Sequence, residues 1–469
     1  MEACLEAHQT VRDSEYYEEV HTIGVMNAET AYVRSGIECG GDGHEGASSF
    51  EDKYYFRDFY KEWGHRRTGC AGCPVHCMEN YRVPGIGGTV ISCELYPQLS
   101  AELRNDDMLN WFEQVRLCQQ MGIDNTSMAM TIQWLMELHE LGVLDASLTD
   151  GIPIEFGSSQ AIDYLMRATV GRTGFGDVVA GGMKATAEYL DARVPLERRG
   201  GRSTYHHAMQ VNNNPMYGIN PRVKSMALSY SIGRRSDCIQ DLNMQEFDVI
   251  TAPIYPDWSE ADRKAAVEHD YVVSAAQTGI EDAADPAVWQ GNAKVVSDMG
   301  VTTGVPDMVG TCKWHTPWLF MDIKPKQYAK ALTAGLGRPV TEDDLTAASL
   351  RLRNVERALE CKLGRRREND TVPEKEFGKP VSHGLWKGKL GIERDELEGM
   401  KDMYYDLRGW DPKTGIPFKE TLTEFGLDDI AQDLDALGIL PERAAAAAAD
   451  PAGDEPRGEA GQTEELVTD

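Results

Sequence analysis

The sequence has no apolar run near the ~18 to 20 residues that cross a bilayer. Its first ten residues, MEACLEAHQT, carry neither the basic start nor the apolar stretch of an export signal. The expectation is a cytoplasmic protein with no membrane segment. Positive charge is also short, 47 Lys and Arg against 76 Asp and Glu, for a formal net charge of −29 at pH 7. Nucleic-acid binding is driven by cationic side chains that replace counterions on phosphates, so no nucleic-acid partner is expected. Cysteine is too sparse, 10 in 469 residues, for a disulfide-stapled scaffold. Strand-like text is scarce as well, GGTVISCELY at 87–96 being the best example.

What is present is an ordinary globular balance, 41% apolar and 26% charged residues, over a length that suits two or three domains. From about residue 105 helical periodicity dominates. In the stretch 126–142, Met128, Ile132, Leu135, Met136 and His139 share one face, Thr126 or Asn125 can cap the start and Gly142 can end it. Just before it, Leu109, Phe112, Val115 and Cys118 recur three residues apart. Further helices are expected at 159–170, 177–192, 259–277, 341–361, 395–407 and 426–437. The predicted fold is mainly α, with helical domains over 1–200 and 201–441 and a disordered acidic tail over 442–469. Two polar segments, 34–48 and 198–222, read as loops, the second too long for a simple connector. Arg365, Arg366 and Arg367 form the densest basic run, read as an exposed, solvated face, with Arg234 and Arg235 next.

The cysteines are unevenly placed. Cys70, Cys73 and Cys77 fall together in Gly69-Cys70-Ala71-Gly72-Cys73-Pro74-Val75-His76-Cys77, while the other seven are scattered. Clustered cysteines in a reducing compartment bind metal or do redox work more often than they pair. Gly72 and Pro74 suit a tight curl that lets nearby thiolates converge on one group. Three thiolates are one ligand short of a closed site, whether for a 4Fe-4S cluster or a structural zinc. His76 is a further ligand candidate in the zinc reading, and buried free thiols are the plain structural alternative. Cys312, in Asp307-Met308-Val309-Gly310-Thr311-Cys312-Lys313-Trp314, is the candidate fourth ligand, beside a lysine able to offset cluster charge.

GCAGCPVHC, DMVGTCKW, LCQQMGIDNTS and YYDLRGWDPKTGIPF together resemble, in kind and in order, the second and third domains of the tungsten-containing aldehyde ferredoxin oxidoreductases, over about residues 15–440. The resemblance implies a 4Fe-4S cluster on Cys70, Cys73, Cys77 and Cys312. It also implies tungsten, in rare members molybdenum, held by the dithiolenes of two pterins lying between domains. The family's pterin motifs have the form Asp-x-x-Gly-Leu-Cys/Asp. Asp307 to Cys312 keeps the second, with Thr311 for Leu, and marks Asp307 and Gly310 as cofactor-binding. The first survives as Gly122-Ile123-Asp124, with Gln119 in the leading place, so Asp124 is either a cofactor contact or the N-cap of the next helix. Glu94, 17 residues after Cys77, matches the spacing of the family's active-site glutamate, with Glu102 the neighbouring candidate. A carboxylate buried beside a metal holds its proton more tightly, as suits a group that activates water or relays a proton.

Two departures stand out. In Arg235-Ser236-Asp237-Cys238-Ile239, Ile239 occupies the place of a family histidine and can transfer no proton; His206 and His207 are the substitutes on offer, although adjacent histidines usually lie on a surface. The family's β-rich first domain, which cradles the pterins, has no counterpart in this sequence. That leaves a separate chain supplying it, a sequence that is a piece of a longer one, or a protein without pterin. The leading expectation is oxidation of aldehydes to carboxylates with ferredoxin as acceptor, in a homo-oligomer or complex. The alternatives are an aromatic acyl-CoA reductase-like subunit and an iron-sulfur electron-transfer subunit without pterin.

Overall fold

The computed structural model describes residues 2–14, 17–23, 56–91, 99–211, 214–215, 221–233, 247–254, 258–315, 323–382 and 384–443. Most of these are helical, as the periodicity predicts. Helices α1 (Glu2–Arg12) and α2 (Tyr17–Ile23) precede a three-stranded antiparallel sheet of β1 (Gly64–Thr68), β2 (Met78–Val83) and β3 (Gly87–Ile91), with β2 in the middle. The strand expected at 87–96 is seen over Gly87–Ile91, and 92–96 lies outside the described residues. Apolar alternation announces neither other strand. In β2 the period of two is there, but its buried face reads Glu79, Tyr81, Val83, with a carboxylate where an apolar residue would signal a strand.

Helices α3 (Met108–Met121) and α4 (Asn125–Glu140) form the next layer. Asp107 caps α3 by accepting from the Asn110 N–H at 3.0 Å, and Asp124 caps α4 by accepting from the Ser127 N–H at 2.7 Å. The cap of α4 is therefore Asp124, the capping alternative stated for that residue, and not Asn125 or Thr126. Phe112, Val115 and Cys118 are buried as their spacing predicts, whereas Leu109 is 49% exposed and Trp111 takes the inward place. α4 is buried nearly all round, and Met128, Ile132, Trp134, Leu135, Met136 and Leu138 anchor the main core. At about 1.5–3 kcal/mol for each fully buried large apolar side chain, this helix is a principal source of stability. That core takes side chains from both sides of residue 200.

The helix expected at 177–192 forms as two, Gly174–Val179 and Met183–Asp191, interrupted at Gly181-Gly182, where Gly182 has φ 89°. The other expected helices appear within two residues of their predicted ends, as Ser159–Gly171, Glu260–Thr278, Glu342–Lys362, Arg394–Arg408 and Asp428–Ala436.

One long helix, α5 (Asn292–Val309), has no counterpart in the prediction. Its apolar residues surround the axis and it contains Gly300, Gly304 and Pro306, so no amphipathic stripe marks it. A helix apolar all round belongs inside, and α5 packs against α6 (Pro325–Leu336), α7 (Glu342–Lys362) and α8 (Arg394–Arg408). Gly304 permits the contact with α7, since a Cβ there would lie 2.3 Å from Ser349 Oγ.

The Arg365-Arg366-Arg367 run is not the solvated face expected of it. Arg365 Nε bonds Asp370 Oδ1 at 2.7 Å, its Nη1 and Nη2 donate to the carbonyls of Gly233 and Ser231 at 2.8 and 2.6 Å, and Arg367 pairs with Glu398 at 2.6 Å. Arg357 grips Asp370 from the other side at 2.5 and 3.0 Å, and the Tyr405 hydroxyl donates to the same carboxylate. Charge that looks like surface in the sequence is the buried joint of α7, α8 and the helix Lys224–Ile232. Among the described residues no helix is long and apolar enough to cross a membrane.

Candidate metal centre

β1 and β2 form a hairpin closed by the Thr68–Met78 pair, and its loop, residues 69–77, is the cysteine run. The Cys73 N–H donates to the Cys70 carbonyl at 3.1 Å across a turn in which Gly72 has φ 75°. Gly69 is required for another reason: a Cβ there would stand 2.8 Å from the Cα of His76, so the two arms of the loop meet only over glycine. Three side chains grip the loop backbone from outside. Arg67 Nη2 donates to the Cys77 carbonyl at 3.1 Å, the Tyr17 hydroxyl to that of Pro74 at 3.1 Å and His21 Nδ1 to that of Val75 at 2.9 Å. The last two come from α2, which thus fixes the middle of the loop. Beneath it a small apolar cluster of Val11, Val75, Val305, Ile323 and Tyr328 joins the loop to α1, α5 and α6.

The fourth cysteine comes from the end of α5. Gly310 closes that helix at φ 73°, and the N–H groups of Gly310 and Thr311 both donate to the Pro306 carbonyl. The end of α3 repeats the arrangement: Gly122 has φ 67°, and the N–H groups of Gly122 and Ile123 both donate to the Cys118 carbonyl. Gln119 to Asp124 and Asp307 to Cys312 are therefore the same helix-ending device built twice, with left-handed glycine satisfying the last carbonyls. In one copy the sixth residue is Asp124, which caps α4; in the other it is Cys312, which faces the hairpin loop. Asp307 pairs with the buried Lys313 at 2.9 Å, so that lysine's charge is directed to the carboxylate.

Cys70, Cys73, Cys77 and Cys312 line one cavity of about 350 Å³, together with Cys4 and His8 of α1, Gly310, His315 and Tyr328. Cys73 Sγ lies 3.5 Å from His315 Nε2. Burial first, and then the charges of Cys312, Cys73 and Cys70, push the Cys77 thiol up to about 11, against the lowering effect of Arg67. The neighbouring thiols thus oppose ionisation of Cys77, and cationic charge placed among them would favour it. Among the described residues no three His, Cys, Asp or Glu side chains close tightly enough on one point for a single ion. The thiols surround a larger space instead.

The other sequence candidates that the structure describes lie elsewhere. Glu94 and the stretch Arg235–Ile239 are outside the described residues. Glu102, 2% exposed, sits in the turn Ala101–Leu103. His207 Nδ1 is 3.2 Å from Glu137 Oε1, whose other oxygen takes a 2.7 Å bond from Lys375, and His206 Nε2 is 2.6 Å from Arg202; neither histidine lines the thiol cavity. Asp124 and Asp307 do not line it either.

Two residues beside the site escape sequence reasoning. His315 follows Cys312 by three positions, and that spacing is its only signal. Glu79 is fully buried, paired with Arg67 at 3.0 Å and accepting from the Tyr81 hydroxyl at 2.5 Å, and burial pushes its carboxyl up to about 7. Its signal is the alternation with Tyr81 and Val83.

The family profile described as aldehyde ferredoxin oxidoreductase, domains 2 & 3, matches residues 2–427. The tungsten-containing aldehyde ferredoxin oxidoreductase of Pyrococcus furiosus is 27% identical over 369 residues, covering 77% of this chain and 53% of that protein. Its namesake from Thermococcus kodakarensis is 26% identical over 369 residues, with the same shares of each chain. The chain spans about half the length of the curated relatives it matches. Among solved structures, the active site complex BamBC of benzoyl coenzyme A reductase with 1,5 dienoyl-CoA is similar at a TM-score of 0.68 and 18% identity, over 94% of this chain and 66% of that one, a likeness of fold. Matched from Glu2 to Leu427, the chain belongs to the aldehyde ferredoxin oxidoreductase family, in the part that forms its domains 2 and 3.

Proposed function

We propose that this chain is the cluster-bearing part of a cytoplasmic tungsten-pterin oxidoreductase that converts an aldehyde to its carboxylate and passes the electrons to ferredoxin. The observation that carries the reading is the convergence of three thiols from one hairpin loop with Cys312, 235 positions after Cys77, on a single cavity. A zinc ion draws four sulfurs to about 2.3 Å from one centre. The cavity of about 350 Å³ that the four cysteines line supports instead a 4Fe-4S group with Cys70, Cys73, Cys77 and Cys312 as its ligands.

Asp307, Gly310 and, at the matching turn, Asp124 are the residues we assign to the pterins, with a partner chain or further segment completing their cradle. When bound, the pterin-held tungsten or molybdenum supplies a two-electron oxidation and the cluster releases the electrons singly. Aldehyde plus water gives carboxylic acid, two protons and two electrons. Glu94 is assigned the proton from water. Arg67 holds the loop carbonyl of Cys77 and lowers the cost of negative charge there. Ile239, in the place of a proton-carrying histidine, favours one second reading, an aromatic acyl-CoA reductase-like subunit of the same family.

The test is iron, tungsten, molybdenum and zinc per chain on protein purified anaerobically from its native host, followed by aldehyde-dependent reduction of benzyl viologen. About four iron and one tungsten or molybdenum, with aldehyde oxidation, is the expected result. Four iron without either heavier metal makes the chain an electron-transfer subunit, and zinc alone overturns every iron-sulfur reading.

A further inference from the structure

We infer that the rim of the thiol cavity formed by β1 and the start of α6 is the docking face for a small acidic electron-carrier protein. This rests on the electron-transfer reading above and adds the surface and the charge that select the carrier.

Of the four thiols Cys70 and Cys312 are exposed, while Cys73 and Cys77 are partly buried. An electron leaving through the ligand sulfurs has its shortest path to solvent on the Cys70–Cys312 side. β1 is an edge strand that runs directly into Cys70, and its His65 and Arg66 are exposed. Arg66 is four residues from Cys70, about 13 Å along extended chain. Across the cavity, Ile323 and Gln327 belong to its wall, and the neighbouring Lys324 and Lys326 are exposed. Ile323 is tied to the ligand segment by its N–H bond to the His315 carbonyl at 2.8 Å.

Among the described residues beside the cavity, two acidic groups are matched and Glu2 shares the lysine of one of them. Glu6 pairs with Lys330, which also feels Glu2, and Asp307 pairs with Lys313. Counting Arg66, Lys326 and Lys330 against Glu2 and Glu6, the balance among the described residues beside the cavity is positive on a chain whose formal net charge is −29. At physiological salt, charges beyond roughly 8 Å are largely screened, so the local sign decides contact while the overall charge disfavours other orientations of an acidic partner. The Arg365–Arg367 run cannot serve, because its guanidinium groups are spent on Asp370, Glu360, Glu398 and backbone carbonyls.

The test is calorimetric binding of an acidic 4Fe-4S ferredoxin to the full chain at low and physiological salt, for the parent, the double variant Arg66→Glu/Lys326→Glu, and Lys264→Glu on the distant helix Glu260–Thr278 as a control. The expected result is affinity that falls with salt in the parent, drops about tenfold or more in the double variant and is unchanged in the control, with iron content constant throughout. Equal affinity and equal salt dependence in the parent and the double variant would overturn the docking face. So would a drop of the same size in the control. Failure to oxidise any aldehyde would instead remove the reading of function and leave these affinities as they are.

Discussion

His315 Nε2 stands 3.5 Å from Cys73 Sγ across 242 positions of sequence. A cluster-bound thiolate can only accept, so the imidazole must donate. Burial first, and His8 second, lower the affinity of this ring for a proton and favour its neutral form. An N–H bond to sulfur favours the more negative, reduced cluster. Replacing His315 with Leu should therefore lower the midpoint potential by about 1 kcal/mol, or roughly 40 mV for one electron, with the iron content retained. A redox titration followed by electron paramagnetic resonance decides it, and an unchanged or higher potential refutes it.

Asp370 governs a second prediction. Burial by itself would raise its pKa, but the charges of Arg357 and Arg365, with bonds from Arg357 and Tyr405, hold it below the usual carboxylate range. A depressed folded pKa contributes stability that is present above the ordinary aspartate value and lost as pH falls through the folded one. Asp370→Asn removes the buried carboxylate that Arg357 and Arg365 share, leaving them only Glu360, and should cost about 3 kcal/mol near pH 7. Its stability should then fall less steeply on acidification than the parent's. Denaturant unfolding at neutral and acid pH measures both effects.

The hairpin loop makes its two glycines separable. Gly72→Ala places its methyl in open space and pays the left-handed backbone penalty alone, about 1 kcal/mol, so iron loading should survive. Gly69→Ala drives a methyl into the main chain at His76 and should spread the loop, lowering iron per chain well below that of Gly72→Ala. Equal iron content in the two variants would contradict the crossing geometry.

Asp124 caps α4 and, in the proposed function, also meets a pterin. As a cap, its replacement by Ala should cost about 1 kcal/mol, and Ser should restore most of that. As a pterin contact, the carboxylate has no substitute in Ser. Asp124→Ser is thus expected to melt like the parent while binding less tungsten, and full tungsten content in that variant would leave the residue a cap only.

How much of this was legible in the sequence depends on which force set each element. Helices with an apolar stripe and a polar start, such as α4 and α7, announce themselves because the stripe and the cap are local. α5 does not, because its role as a central helix is fixed by neighbours on all sides, and Gly304 and Pro306 look like breakers when those neighbours are out of view. The same blindness hid the Arg365–Asp370 joint, since a basic run carries no mark of the carboxylate that will bury it. The four cysteines were legible through motif and resemblance. His315 and Glu79 were not, since one gains meaning from a distant loop and the other from a strand too polar to recognise. Glu94 stays a proposal carried by spacing.

Three of the four thiols are brought near one another by closing a nine-residue hairpin loop, but Cys312 reaches them only once α5 has folded through its last turn. Closing such a long span carries an entropic cost that the packing of α5 helps to offset. On the proposed function, cluster insertion would be a checkpoint on completed folding: a nascent chain stopped short of residue 312 offers three of the four proposed ligands and an open corner. Loss of iron should in turn act first on the small apolar cluster beneath the loop, freeing α1 and α2, while the main core keeps its packing.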